Sequence, residues 1–414
     1  MAGTHLIGLL LGVEEDWPGA FESLLRRLDP AITVDGETHR FATERVTIEP
    51  FNLRAVPRYS LVIDRLAWWY DMPREWLKKV TLMNPVHLLN NPFTFEAMQK
   101  HAAYCAMIRL GLKVPETWML PNKKPPANPR FEGTAQRYLR YFDLDEVARA
   151  VGMPLYMKPF DGGAWVGVSR VEDTATLHRA YDESEERLMH VQASVDGYDA
   201  FARSLGVGAE VMVMNFHPER PMHDRYSVDY NFLSPEVGEE VVSILRIVNG
   251  FFRWELNSCE TLVRGSEVVP IDYANATPDL AITSLHYYFP WAIRALVKWV
   301  IFCCVTERRQ TVDMDTQRYF AIADRDDLSY AEKIKRYRAL ADEQLQVERY
   351  HEFCARHLPN IDEVTLSWVE SDEFDRLVVD TVRSTFPAHE HEQFIAHFRG
   401  LLELWAKDQR ALVA

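Results

Sequence analysis

The chain has 414 residues, more than one hydrophobic core commonly holds, so two or three domains are expected. Hydrophobic residues make up 47% and charged residues 26%, an ordinary globular balance that excludes a disordered or low-complexity chain. With 61 acids against 46 bases the net charge is -15, which removes a broad field for nucleic acid but leaves room for a local basic pocket holding an anionic ligand.

The N-terminal part, residues 1–93, alternates strand and helix patterns. HLIGLLL (5–11) reads as a first strand and not as a secretion signal, because no basic segment precedes it and Gly8 interrupts the apolar run. Trp17 to Leu28 reads as a helix, and VTIEPF (46–51) and SLVIDR (60–65) read as strands, which together predict a layered α/β domain with a mainly parallel sheet. In such sheets ligands sit at the carboxyl ends of strands, so Asp64 and Arg65 either touch a substrate or form an ion pair with each other.

Asn91-Pro92 marks a boundary, and Thr94 is expected to cap a helix that runs to Leu110 and stops at Gly111. VPETWML (114–120) reads as a strand, and the breaker-rich PNKKPPANPR (121–130) after it as a loop, either a lid or a passive surface excursion. From Val151 to Pro278 strands dominate, with helical interruptions at 174–183 and 236–248. The most apolar window, Leu285 to Val305, carries Pro290, Arg294 and Lys298, the two cations on one helical face, and reads as a buried amphipathic helix and not a membrane span. Beyond residue 305 the pattern changes to charged amphipathic helices at 329–354, 372–383 and 389–405, which gives domains at 94–305 and 306–414 and the look of a helical appendage. The five cysteines form no C-x-x-C pair, which fits a reducing, cytoplasmic setting. HEHE at 389–392 lacks the i, i+4 histidine spacing of a helical zinc site, and Trp68, Trp69 and Tyr70 suit either a core or a pocket wall.

Two stretches carry chemistry. In MKPFDGGAWVGV (157–168), Lys158 ends an apolar run where a phosphate could meet its ammonium, and Gly162 and Gly163 let backbone N–H groups approach an anion. The same letters also write a tight turn between two strands, and the Walker spacing is missing. The second stretch is ELNSCE (255–260), succeeded after the turn Arg264-Gly265-Ser266 by PIDYAN (270–275). Folded back as a hairpin, it sets Glu260 near Asp272 with Asn275 just beyond. Apposed carboxylates ask for a counter-ion, and hard oxygens of this kind suit Mg²⁺; a register slipped by one residue would instead send the acids to opposite faces.

In their order and spacing these features resemble the ATP-grasp superfamily, in particular carboxylate–amine ligases like glutathione synthetase in their ATP-binding domain, over roughly residues 1–305. The resemblance implies an α/β (α+β) chain with a Rossmann-like N-terminal pre-ATP-grasp domain, an ATP-grasp domain and a helical C-terminal extension. It matches Lys100, in FEAMQKHAAYCAMIRLGLKVPET, to the family's first lysine, and Lys158 to the second, with Asp161 to Val168, including Gly162, Gly163 and Trp165, as the flap over the phosphates. LMHVQASVDGYDAF matches the adenine strand and hinge, with Gln192, Ala193 and Val195 at the hinge and Asp199 at the ribose position. Arg203 falls at the place of a basic residue that meets substrate or phosphate. Glu260, Asp272 and Asn275 fall at the metal ligands, with Glu255 a competitor for the first; the usual E-x-N ending is replaced here by Asp272-Tyr273-Ala274-Asn275. The activity that the resemblance implies is that of an ATP- and Mg²⁺-dependent ligase, joining a carboxylate to an amine through an acylphosphate. Its partners are then small molecules, without nucleic acid or membrane, and assembly as a homo-oligomer is left open. A phosphotransferase of the same fold, or a nucleotide-binding scaffold with a partner-docking tail, are the alternatives.

Overall fold

The computed structural model describes residues 3–413 apart from 126, 129, 131, 132, 135, 136, 138–140 and 162–165, and among them three sheets organise the chain. The N-terminal sheet has the order β2-β3-β1-β4-β5. Its strands are β1 (Gly3–Leu10), β2 (Ile32–Val34), β3 (Glu37–Arg45), β4 (Leu61–Asp64) and β5 (His87–Leu89). β1 runs parallel to both β3 and β4, and β4 to β5; β2 alone is antiparallel. Helices α1 (Asp16–Leu28) and α2 (Asp71–Met83) make two of the connections. The parallel core needs strands buried on both faces, and Ile7, Leu9, Leu61, Val62 and Ile63 are all fully buried.

This sheet differs from the sequence expectation in one respect. VTIEPF is not a strand; the third strand is the polar stretch Glu37–Arg45, preceded by a hairpin at Asp35-Gly36, both with positive φ. Asp-Gly is a hairpin signal, but the β3 side chains are half-buried or exposed and none is fully buried, so its hydrophobic pattern is weak.

A second, antiparallel sheet has the order β6-β9-β7-β8, formed by Thr117–Leu120, Met189–Ala193, Leu155–Pro159 and Ser169–Val171 respectively, covered by helices α4 (Leu144–Val151) and α5 (Thr174–Ser184). The third sheet, also antiparallel, has the order β12-β11-β10-β13-β14: Tyr226–Ser227, Glu210–Phe216, Ala200–Val207, Leu256–Arg264 and Glu267–Asp272. Helix α6 (Pro235–Phe252), capped by Ser234, lies across it. VMVM within β11 is mostly half-buried and not a wholly buried run, because the strand stands next to the sheet edge.

Between sheets, the chain from Asn91 to Arg109 is broken where one helix was expected. A 3₁₀ segment, Pro92–Met98, is capped by the Asn91 side chain, which accepts from Phe93 N–H, and α3 (Lys100–Arg109) starts afresh. Thr94 caps nothing; its hydroxyl donates to Asn91 O at 3.0 Å.

The apolar window becomes α7 (Ile282–Leu285) and α8 (Phe289–Val305), buried inside the molecule. Its two cations are met by acids, Arg294 by Asp362 at 2.7 Å and Lys298 by Glu210. The helices beyond it are α9 (Thr316–Ala323), α10 (Tyr330–Leu345), α11 (Val347–His357), α12 (Ile361–Val369), α13 (Asp372–Thr385) and α14 (His391–Val413). The run 329–354 is thus two helices, broken at Gln346 with φ 52°. Helices α11 to α14 share a core with α1 and α8, through Trp17, Phe21, Trp299, Trp368, Phe398 and Trp405, while α9 and most of α10 pack on α6, so the region does not stand apart as a tail. The indole of Trp368 donates to Ser23 Oγ in α1 at 3.0 Å.

One turn fixes the seam between the third sheet and α8. Gly208, between β10 and β11, has φ 55°, and a Cβ there would lie 1.9 Å from the Trp299 ring. Trp299 in turn donates to Glu255 Oε2 at 2.8 Å, and Glu255 also receives His87 Nε2 at 2.6 Å and Arg308 Nε at 2.6 Å. Burial alone would raise the Glu255 carboxyl, but Arg308 and His87 outweigh it and pull its pKa down to about 2.

Candidate functional site

A cavity of about 700 Å³ opens between the second and third sheets and is closed at one end by the loop after β4. Four chain segments, β7, α3, the β13–β14 hairpin and β10, deliver the charged groups that meet around Asp272 and Glu260. Lys158, one residue before the end of β7, is held with its Nζ 2.6 Å from Gln192 Oε1 and 3.4 Å from Ile271 O. Gln192 is itself anchored by donating to Thr117 Oγ1 at 2.8 Å, so β6, β9 and β7 jointly set the lysine. Lys100, the first residue of α3, forms an ion pair with Asp272. Its backbone N–H donates to Phe160 O at 2.9 Å, tying the start of α3 to the end of β7, and this is how two lysines far apart in sequence reach one cavity.

The register of β13 and β14 supplies the acids. Arg264 pairs with Glu267 and Thr261 with Pro270, so uninterrupted pairing would set Glu260 opposite Ile271. A bulge between Glu260 and Thr261 makes Asp272 the partner instead. The turn at Gly265-Ser266 is where the sequence put it, but convergence of the acids depends on the bulge: a shift of one residue reverses the faces of a strand. On the other side β10 places Arg203 opposite Glu260, with Nη1 3.5 Å from Oε1 and Nη2 3.4 Å from Ser258 Oγ. Asn275 is part of the cavity lining; its backbone N–H donates to Asn257 Oδ1 at 2.8 Å and its carbonyl accepts from Ser258 N–H at 3.1 Å.

Burial and mutual charge set the protonation. Burial disfavours the Lys100 ammonium, yet Asp272 and Glu260 outweigh it and raise its pKa. For Lys158 burial wins, reinforced by Lys100, and its pKa falls to about 8. Burial works against the Asp272 charge, but Lys100 keeps its pKa below the ordinary range; Glu260 is raised by burial and by Asp272 in spite of Arg203. His190, paired in register with Lys158, is pushed by burial and by neighbouring cations to about 3 and is therefore neutral.

Lys100, Lys158, Gln192, Ala193, Val195, Arg203, Glu260, Asp272 and Asn275 all line this one cavity. Asp199 does not join them: its carboxylate accepts Gly265 N–H at 2.6 Å, at the β13–β14 turn. Asp196 lines the cavity instead, held by Arg170 at 2.8 Å and by Ser194 at 2.7 Å. Ala193 N–H is taken by Glu116 O at 2.8 Å, which leaves Val195 N–H uncommitted among the described residues. Asp161 is exposed and outside the lining; Gly162, Gly163 and Trp165 lie outside the described residues. Ahead of β8, Gly167 has φ 74°, and a Cβ there would stand 2.9 Å from Pro159. Glu255 faces its buried network with His87, Trp299 and Arg308, away from the cavity. Arg65 pairs with Glu14 at 3.2 Å, not with Asp64, which accepts the Leu66 and Ala67 N–H groups.

Sequence reasoning missed Tyr104, whose hydroxyl donates to Ile271 O at 2.8 Å and so braces the strand beside Asp272. Its position four residues after Lys100, on the same helical face, was the available signal. It also missed Arg225 and Tyr226, for which the sequence carries no signal, since their place in the wall is set by the short edge strand β12.

No known family model matches the chain, and no curated protein matches it in sequence. Among solved structures it is similar to a RimK domain ATP-grasp protein from Sphaerobacter thermophilus, with 14% identity, TM-score 0.49, and 72% of this chain and 99% of that one covered. It is also similar to a D-alanine–D-alanine ligase from Bacillus anthracis complexed with ATP, with 12% identity, TM-score 0.47, and coverage of 73% and 98%. A D-alanine–D-alanine ligase from Helicobacter pylori shares 14% identity at TM-score 0.38, over 57% of this chain and 72% of that one.

Proposed function

We propose that this chain is an ATP-grasp enzyme that joins a carboxylate to an amine, with release of ADP and phosphate. The observation that carries the reading is the convergence of Lys100, Lys158 and Arg203 on Glu260, Asp272 and Asn275 in one cavity between two antiparallel sheets. Val195, Leu262 and Ile271 supply apolar lining for a base, and Asp196 a carboxylate for a ribose hydroxyl. Lys158 and Lys100 meet the phosphates of ATP, and Arg203 holds the carboxylate, which its planar fork suits.

The oxygen set of Glu260, Asp272 and Asn275, opposed across a bulged hairpin, fits a hard divalent cation. Mg²⁺ held there would neutralise charge on the transferred phosphoryl group. In the reaction a carboxylate oxygen attacks the γ-phosphorus, the bond to the β-phosphate oxygen breaks, and ADP leaves an acylphosphate. The amine nitrogen then attacks the acyl carbon, phosphate departs and the amine proton is lost to it or to water. The protein contributes position and charge and no nucleophile of its own.

The test is an ADP-release screen over paired carboxylates and amines, with Lys158→Ala as control. The expected result is ADP release that needs both partners and falls at least a hundredfold in the variant. ADP release with a hydroxyl substrate and no amine requirement, or release unchanged in Lys158→Ala, defeats the reading.

A further inference from the structure

The end of the cavity beyond Arg203 has a composition of its own. The loop after β4 contributes Trp68 and Trp69, with ring centroids 6.4 Å apart and edge to face, and Trp69 is 62% exposed in a molecule whose other large aromatics are mostly core. Arg65 fastens this loop to the segment after Asn275 by donating to Pro278 O at 2.5 Å. That segment runs into α7, which packs on the short 3₁₀ turn Met222–Asp224. Met222, 57% exposed, and Pro218 line the same wall. Two donors stand among these apolar groups. Arg225 uses Nε on Arg220 O at 3.0 Å, and its terminal nitrogens have no partner among the described residues; nor does the Tyr226 hydroxyl. Of the other cations of the cavity, Lys100 is met by Asp272, Arg203 by Glu260, Arg65 by Glu14 and Arg170 by Asp196, while Lys158 rests on the Gln192 amide oxygen and Ile271 O.

Resting on the ligase reading, we infer that the acid received here carries a bulky apolar, preferentially aromatic, body: Arg203, Arg225 and Tyr226 hold the carboxylate end, and Trp68, Trp69 and Met222 cover the rest. Trp68 is half-buried against the core, but the exposed Trp69 ring beside it is costly in water and is relieved by a flat apolar partner. The two unpartnered terminal nitrogens of Arg225 and the Tyr226 hydroxyl match one carboxylate, and a small polar acid would leave Trp69 wet.

The experiment is calorimetric binding of 3-phenylpropanoate, propanoate and succinate to the full chain with ADP and Mg²⁺ present, alongside ADP release with ATP and a mixed amine pool. We expect 3-phenylpropanoate to bind at least tenfold more tightly than propanoate or succinate. Trp69→Ala should erase most of that preference and Trp69→Phe restore it, while Arg225→Gln weakens 3-phenylpropanoate and propanoate alike. Equal binding of the three acids, preference for succinate, or an unchanged preference in Trp69→Ala overturns the inference. ADP release that is strong with succinate and absent with 3-phenylpropanoate overturns it while leaving the ligase reading intact. Selective binding without ADP release for any acid upholds the pocket assignment and defeats the ligase reading.

Discussion

Lys158 gives the sharpest test of the phosphate site, because its charge is conditional. Burial and the nearby Lys100 hold its pKa at about 8, while Lys100 is raised and His190 is neutral, so neither of those two titrates between pH 7 and 9.5. Nucleotide phosphates have finished titrating well below this window. If the polyphosphate binds only when Lys158 is charged, binding takes up the missing proton and the apparent Kd grows with pH. The factor is about 1.1 at pH 7 and about 11 at pH 9, roughly a tenfold loss of affinity, or about 1.4 kcal/mol. Calorimetric titration of ADP with Mg²⁺ across the window measures it directly. Lys158→Met should weaken binding about 10- to 100-fold at pH 7, the range of a charged hydrogen bond, and flatten the profile. A wild-type affinity that stays flat from pH 7 to 9.5, or a Lys158→Met profile as steep as the wild type, would refute the placement of Lys158 against phosphate.

Two further predictions concern the seam behind the site. Glu255, lowered from 4.5 to about 2 in the fold, contributes roughly 3 kcal/mol that is fully present above pH 4.5 and lost as pH falls through 2. Glu255→Gln, which strands Arg308 in the interior, should cost about 3–5 kcal/mol at pH 7 and soften the acid limb of the denaturation profile; an unaltered acid limb would show that the pairing is not populated. Gly208→Ala forces a Cβ into the Trp299 ring at a left-handed φ, and the thermal midpoint should drop by several degrees or the chain fail to accumulate, whereas Gly238→Ala, with open space around it, should be mild.

Much of the site was legible as a sequence because its parts are local. A lysine at the end of an apolar run and two acids flanking a Gly-containing turn are patterns of a few residues each, and they pick out Lys158, Glu260 and Asp272; Lys100 and Arg203 emerge only through the family resemblance, since the helix expected from Thr94 puts Lys100 inside it and not at its start. Glu255 and Asp199 show the limit. Both are acids at plausible spacings, and only packing turns one toward Arg308 and His87 and the other toward the Gly265 N–H. The missed strand β3 has the same cause in reverse, since a half-buried polar strand is held by backbone pairing with β1 and leaves little hydrophobic signature.

By itself, then, the sequence determined the α/β class, the order of the lysines, arginine and acids, and the buried character of α8, because each depends on residue type and periodicity within a short window. The tertiary structure decided the rest: that a bulge at Glu260 turns two acids to one face, that Asp196 and not Asp199 reaches the cavity, and that the C-terminal helices complete the core around α1 and α8. Those outcomes depend on which surfaces are left to be covered once the sheets have formed, and residues separated by hundreds of positions settle them together.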